Sequence, residues 1–116
     1  MDAVIFKICP TEEWKAAEAV GIYAGSKKDR ADGFLHFSTA EQLPGTLTRY
    51  YTDADDLVLV AVDASALSGA LKYEPSRDGQ LFPHLYGDLP RAAVRWVRPI
   101  VRGSQGSFLL PAELTA

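Results

Sequence analysis

Cysteine is almost missing from this sequence: Cys9 stands alone among 116 residues, which excludes an internal disulfide framework and a zinc site built of four thiolates. Histidine is nearly as scarce. With only His36 and His84, a zinc centre would lack a third or fourth good ligand, so no metal is expected. Positive charge is not in excess, 12 Lys and Arg standing against 15 Asp and Glu for a net charge of −3. A protein whose main partner is duplex DNA needs a basic face to neutralise phosphates, so that class is set aside. Arg91, Arg95, Arg98 and Arg102 fall on both faces of one strand, which leaves RNA only weakly supported as a partner. A small anionic ligand needs just a local cluster and stays open.

Long apolar runs and nucleotide-loop signatures are absent too. The N-terminal MDAVIFKICP is broken by Lys7 and stopped by Pro10, too short for a membrane span or a signal peptide, so no membrane partner and a cytoplasmic location are expected. No G-x-S-x-G, G-x-G-x-x-G or phosphate-loop motif occurs, which removes the serine-hydrolase elbow and the common dinucleotide and triphosphate cradles. Apolar residues at 47% and charged residues at 23% are ordinary for a folded protein. The length fits one domain, residues 1–116, with no linker.

What is present has clear periodicity. Residues 4–9 alternate as a strand, with Val4, Phe6 and Ile8 on one face and Ile5, Lys7 and Cys9 on the other. Thr11 reads as an N-cap ahead of Glu12 and Glu13, and Trp14, Ala17 and Val20 recur at helical spacing until Gly21. Residues 23–30, with GSKKDR inside, read as a loop; residues 33–37 read as a strand with Phe34, His36 and Ser38 on one face. Two overlapping capping boxes, Ser38 with Glu41 and Thr39 with Gln42, predict a helix with Leu43, Leu47, Tyr50 and Tyr51 as its buried stripe. Pro44 and Gly45 force a tight turn or kink before it becomes regular. The valine-rich DLVLVAVD, residues 56–63, predicts a central strand covered on both faces; residues 71–74 and 93–101 are further strands. Pro83 and Gly87 put residues 82–86 at a sheet edge or in a turn. Helices early and strands late define an α+β class with a mixed, mostly antiparallel sheet and two main helices in the N-terminal half.

Chemistry concentrates at two places. In DGFLHFST, His36 and Ser38 share a face just before a predicted helix N-terminus, where free N–H groups and the dipole favour an anion. In FPHLYG, Phe82, His84 and Tyr86 point one way and make an aromatic cradle with one titratable ring. The bland alternatives are a packed core histidine and an aromatic plug between layers. Glu74 either joins a surface ion pair with Lys72 or projects into a cleft. The cations of KKDR can close over a phosphate. If both imidazoles share a cleft near Lys7 and those cations, like charge should lower their proton affinity.

These motifs resemble the bacterial domain-of-unknown-function 952 family over essentially the whole length. The resemblance rests on Trp14 with Ala17, on Tyr23 and Ser26, on DGFLHFSTAEQ, LVLVAVD, the KYE at residues 72–74, and FPHLYG. It implies a fold similar to that of the ADP-ribosyltransferases. The strand-His-x-Ser-helix unit followed by a V-x-V-D strand looks like the RNA 2′-phosphotransferase branch, which uses NAD to remove a phosphate from spliced transfer RNA. His36 and Ser38 match that His-x-Ser, whereas Lys7 stands where a first-strand His or Arg often touches the cofactor. Glu74 can be compared with the transferases' catalytic glutamate, and the resemblance implies NAD as a cofactor. Taken with the two motifs, this gives a cleft for a nucleotide-like or phosphorylated ligand in which catalytic roles are expected for His36, Glu74 and His84 and ligand-binding roles for Lys7, Tyr23, Ser26, Ser38 and Tyr86. A non-catalytic binding or interaction module on the same fold is the alternative, and a protein acceptor is unassigned.

Overall fold

In the computed structural model, which describes residues 3–67, 69–103 and 106–111, the first strand, β1 (Val4–Pro10), follows the predicted alternation. Met1 and Asp2, the start of the apolar N-terminal stretch, lie outside the described residues. The next element, α1 (Thr11–Val20), ends at Gly21, whose φ of 92° is the left-handed conformation that stops a helix without cost to glycine. Two expectations about this helix are corrected. Thr11 is its first residue instead of its cap, and its hydroxyl donates to the Asp56 carbonyl at 2.9 Å. Val20, in the last turn, is 77% exposed.

The stretch read as a loop holds a two-residue strand, β2 (Ile22–Tyr23), and a helix, α2 (Lys27–Asp32). A reciprocal capping box makes α2 possible: the Asp29 N–H donates to Ser26 Oγ at 3.1 Å and the Ser26 N–H donates to Asp29 Oδ2 at 2.9 Å. Gly33, with φ 87°, terminates it. After β3 (Leu35–His36) the expected Thr39–Gln42 reciprocal bonds form, but they close a turn, and α3 (Leu43–Tyr50) starts beyond it with Pro44 in its first turn. The Ser38–Glu41 box does not form, because Ser38 Oγ pairs with Thr46 Oγ1 at 3.0 Å. Leu43 and Leu47 are buried as predicted, whereas Tyr50 is 57% exposed. Three α-helices therefore precede residue 51 among the described residues, one more than predicted.

The remaining strands are β4 (Leu57–Asp63), β5 (Leu71–Pro75), β6 (Leu81–Leu85), β7 (Leu89–Pro90), β8 (Val94–Arg102) and β9 (Phe108–Leu109). They form a four-stranded sheet ordered β1-β4-β8-β9, a β2-β7 pair and a three-stranded sheet ordered β3-β6-β5, antiparallel in every described pairing. The class is thus α+β, as predicted. Leu57 to Val62 are all buried, so β4 is the covered central strand. Its two faces and those of β1 feed two cores: Ile5, Cys9, Val58 and Val60 meet Trp14 and Leu35 on one side, while Phe6, Ile8 and Leu59 meet Leu43 and Leu47 on the other.

The segment placed at a sheet edge is instead the middle strand of its sheet. Pro83 is tolerated there because its carbonyl, and with it its ring nitrogen, points toward β3, where Phe37 N–H donates to Pro83 O at 3.0 Å. Only one ladder bond is lost, just past the end of β3. No described helix is long and apolar enough to cross a membrane.

Leu59, fully buried under α3, tests this packing. Leu59→Ala should cost about 2–5 kcal/mol in urea denaturation. Val101→Ala, at a half-exposed position of β8, should stay within about 0.5 kcal/mol.

Candidate functional site

The cap that starts α2 turns the Asp29 carboxylate inward, where it is 2% exposed. Four donors reach it: the backbone N–H of Ser26 at 2.9 Å, the N–H of His36 at 3.2 Å, His36 Nδ1 at 2.6 Å and Lys7 Nζ at 2.8 Å. Lys7 lies on the Ile5 and Cys9 face of β1, only 4% exposed, and also donates to the His36 carbonyl at 3.0 Å. Burial would by itself raise the Asp29 pKa, but the His36 hydrogen bond and the Lys7 charge outweigh it and hold the carboxyl far below its ordinary 3.8. Asp32, one turn further, accepts from Lys28 Nζ and from His36 Nε2, both at 2.9 Å. Lys28 first, then His36, lower its pKa.

Strand pairing sets His36 directly opposite His84. Their ring centroids are 5.7 Å apart, and Phe34 touches both, tilted against His36 at 4.6 Å and stacked on His84 at 4.1 Å. His84 is 5% exposed; its Nδ1 lies 2.7 Å from Glu74 Oε1, which also accepts from the Tyr86 hydroxyl at 2.7 Å. Those bonds, Tyr86 first and then His84, lower the Glu74 pKa. His84 Nε2 has no hydrogen-bond partner among the described residues.

Both rings open onto a cleft of about 510 Å³ between α2, α3 and the end of β5. Phe34 and Phe82 supply apolar wall, and Arg77 supplies a cation. The Arg77 guanidinium lies 5.0 Å above the Phe82 ring and reaches Thr46 Oγ1 at 3.3 Å and the Gln42 carbonyl at 3.5 Å. Gly45 makes room for it, since a Cβ there would come within 3.0 Å of Arg77 Nη2.

Of the residues singled out in the sequence, Lys7, Ser26, His36, Ser38 and His84 line this cleft together. Tyr23, Glu74 and Tyr86 do not. Tyr23 is buried against Trp14 at 5.8 Å and donates to Glu13 at 2.7 Å; burial first, then Glu13, push its phenol far up. Glu74 and Tyr86 stand behind His84, with Tyr86 against Phe34 at 5.2 Å. The expected helix N-terminal anion site is also revised. Thr39 and Gln42 consume each other's N–H groups, Pro44 has none, and Arg77 covers Gly45. Three carboxylates touch the imidazole nitrogens, Asp29 and Asp32 on His36 and Glu74 on His84. Asp29, Asp32, Phe34 and Arg77 were missed as site residues. The Ser26-x-x-Asp29 cap could have found the first two; Arg77 sits in a turn that nothing local singles out.

The fold and cleft can now be set beside known proteins. Residues 8–97 match the family described as "Protein of unknown function (DUF952)", and the chain belongs to that family. It is similar to the crystal structure of protein CC0527 from Caulobacter crescentus, with 39% identity over 97% of this chain and 99% of that one and a TM-score of 0.91. The solution NMR structure of CC0527 gives 40% identity, 91% of each chain and a TM-score of 0.82. No curated protein matches the chain significantly.

Asp29→Asn keeps the shape of the cap but leaves the Lys7 ammonium buried without its counter-charge, which should cost about 3–5 kcal/mol. Since the folded pKa of Asp29 lies below 3.8, its contribution is present above that value and fades as pH falls below it. Wild-type stability should drop from pH 5 to pH 2 more steeply than that of the variant, as read by denaturant melts across pH. Parallel curves would remove Asp29 from this role.

Proposed function

We propose that the cleft binds a phosphorylated, nucleotide-like ligand, with NAD as first candidate, in a cytoplasmic protein of ADP-ribosyltransferase-like fold. The observation that carries this reading is the meeting of His36, His84 and Arg77 around one aromatic-walled cleft. Its volume of about 510 Å³ suits a ligand of nucleotide size. Phe34 and Phe82 offer ring faces to a heterocycle, and Arg77 with Lys28 offers charge-assisted donors to phosphate. The match of His36 and Ser38 to the His-x-Ser of the RNA 2′-phosphotransferase branch supports NAD as the source of that ligand.

In the catalytic version of this reading, His84 is the group that reaches the ligand, and Glu74 positions it through Nδ1. A specific observation favours the second reading, a binding module without catalysis. Both carboxylates that line the cleft, Asp29 and Asp32, are already ion-paired, and Glu74 lies outside it. Nicotinamide release from NAD separates the two versions.

Calorimetry and thermal melting with NAD, ADP-ribose and nucleotide phosphates test the reading itself. A ligand at a hundred times its Kd should stabilise the protein by ~2.7 kcal/mol, raising Tm by roughly 10 °C. Arg77→Gln should weaken affinity about 10- to 100-fold, the worth of a charged hydrogen bond. Wild-type protein that responds to none of these compounds would refute the proposal.

A further inference from the structure

We propose that His84 and His36 act as general base and general acid in the hydrolysis of a nucleoside cyclic phosphodiester, an inference that rests on the cleft binding a phosphorylated nucleotide-like ligand. The two rings are anchored alike, although their planes stand 67° apart. Each places Nδ1 on a carboxylate, His36 on Asp29 at 2.6 Å and His84 on Glu74 at 2.7 Å, so each turns Nε2 toward the other side of the ring. The same carboxylate–imidazole arrangement fixes tautomer and direction in acid–base catalysis generally.

Their second nitrogens differ, and the difference assigns the roles. His36 has a carboxylate oxygen at both nitrogens, Asp29 at Nδ1 and Asp32 at Nε2; ionised carboxylates only accept, so both nitrogens are placed to donate, which is the geometry of the acid. His84 donates Nδ1–H to Glu74 and leaves Nε2 open to accept. One base and one acid, from adjacent strands, face one cleft of nucleotide size.

The step balances with water as the only co-reactant. Water oxygen bonds to phosphorus and its proton passes to His84 Nε2. The phosphorus–oxygen bond to one ribose carbon breaks, and the leaving oxygen takes the proton of His36 Nε2. A phosphate monoester and a free ribose hydroxyl result, and the two rings reset by exchanging a proton each with solvent. The leaving oxygen takes the place of the Asp32 carboxylate at His36 Nε2, and Arg77 holds the non-bridging oxygens.

The test incubates the full chain, in EDTA, with adenosine 2′,3′-cyclic and 3′,5′-cyclic monophosphate and follows monophosphate formation by phosphorus NMR. His36→Ala and His84→Ala, purified in the same way, should each lose about 100-fold or more of the rate. His36→Gln and His84→Gln, which fill more of the space and can still bond the carboxylates, should lose as much and so exclude unfolding as the cause. Wild-type turnover of either compound that depends on both histidines supports the proposal. No turnover of either compound, or turnover that the variants retain, overturns it. ADP-ribose binding, measured in parallel, tells the failures apart: binding without hydrolysis leaves the proposed function standing, and loss of both removes the two together.

Discussion

A carboxylate buried among four donors is the constraint on which the site depends. Asp29 caps its own helix, neutralises Lys7 of β1, and holds the backbone and ring of His36 in β3. A lone charge at that depth would cost several kcal/mol, so the pair survives only because every partner is in place. Buried pairs of this kind add little net stability over apolar residues of the same volume. What Asp29 contributes is position. With α2, β1 and β3 tied to one carboxylate, the His36 ring can stand at the cleft wall in only a narrow range of orientations.

The second histidine is placed by different means. β6 carries His84 opposite His36, and β5 brings Glu74 beside it, so a strand ladder does for His84 what an ion pair does for His36. Phe34 couples the two by touching both rings, which limits how far either can turn without moving the other. Arg77 reaches the opening from the turn after β5 and lies against the start of α3. The cleft is therefore assembled from segments far apart in the chain, and its charge comes from side chains instead of a helix end.

This assembly explains what the sequence made legible. Alternation in β1 and the unbroken apolar run of β4 both reflect local backbone geometry, so the two faces of β1 and the double-sided cover of β4 could be read from them. The tight turn before α3 was legible from the Thr39–Gln42 box, whereas Pro44 and Gly45, expected to forbid a regular first two turns, lie within α3, where the missing proline N–H has no intrahelical partner to lose. The short helix α2 was hidden because its cap, Ser26 with Asp29, sits inside a polar run that composition assigns to a loop. Pro83 misled because its penalty depends on the neighbouring strand: β3 ends at His36, and only one bond is forfeited. Tyr23 was expected in the cleft and Arg77 was not assigned to it, because each is positioned by packing against another element, Tyr23 beneath α1 and Arg77 across to α3. His36 and His84 were legible as a pair of interest, though their carboxylate partners Asp29 and Asp32 were not.

Two carboxylate-held imidazoles facing one ligand cleft are the centre of the site. Nitrogen-15 NMR of the histidine rings during titration with ADP-ribose measures this directly, because Nδ1 and Nε2 report tautomer and hydrogen bonding separately. The predicted result is a His84 ring protonated at Nδ1 in the free protein at neutral pH. Ligand addition should then shift its Nε2 and both nitrogens of His36. Ring signals that stay fixed while ADP-ribose binds elsewhere, or a His84 protonated at Nε2 instead of Nδ1, would contradict it.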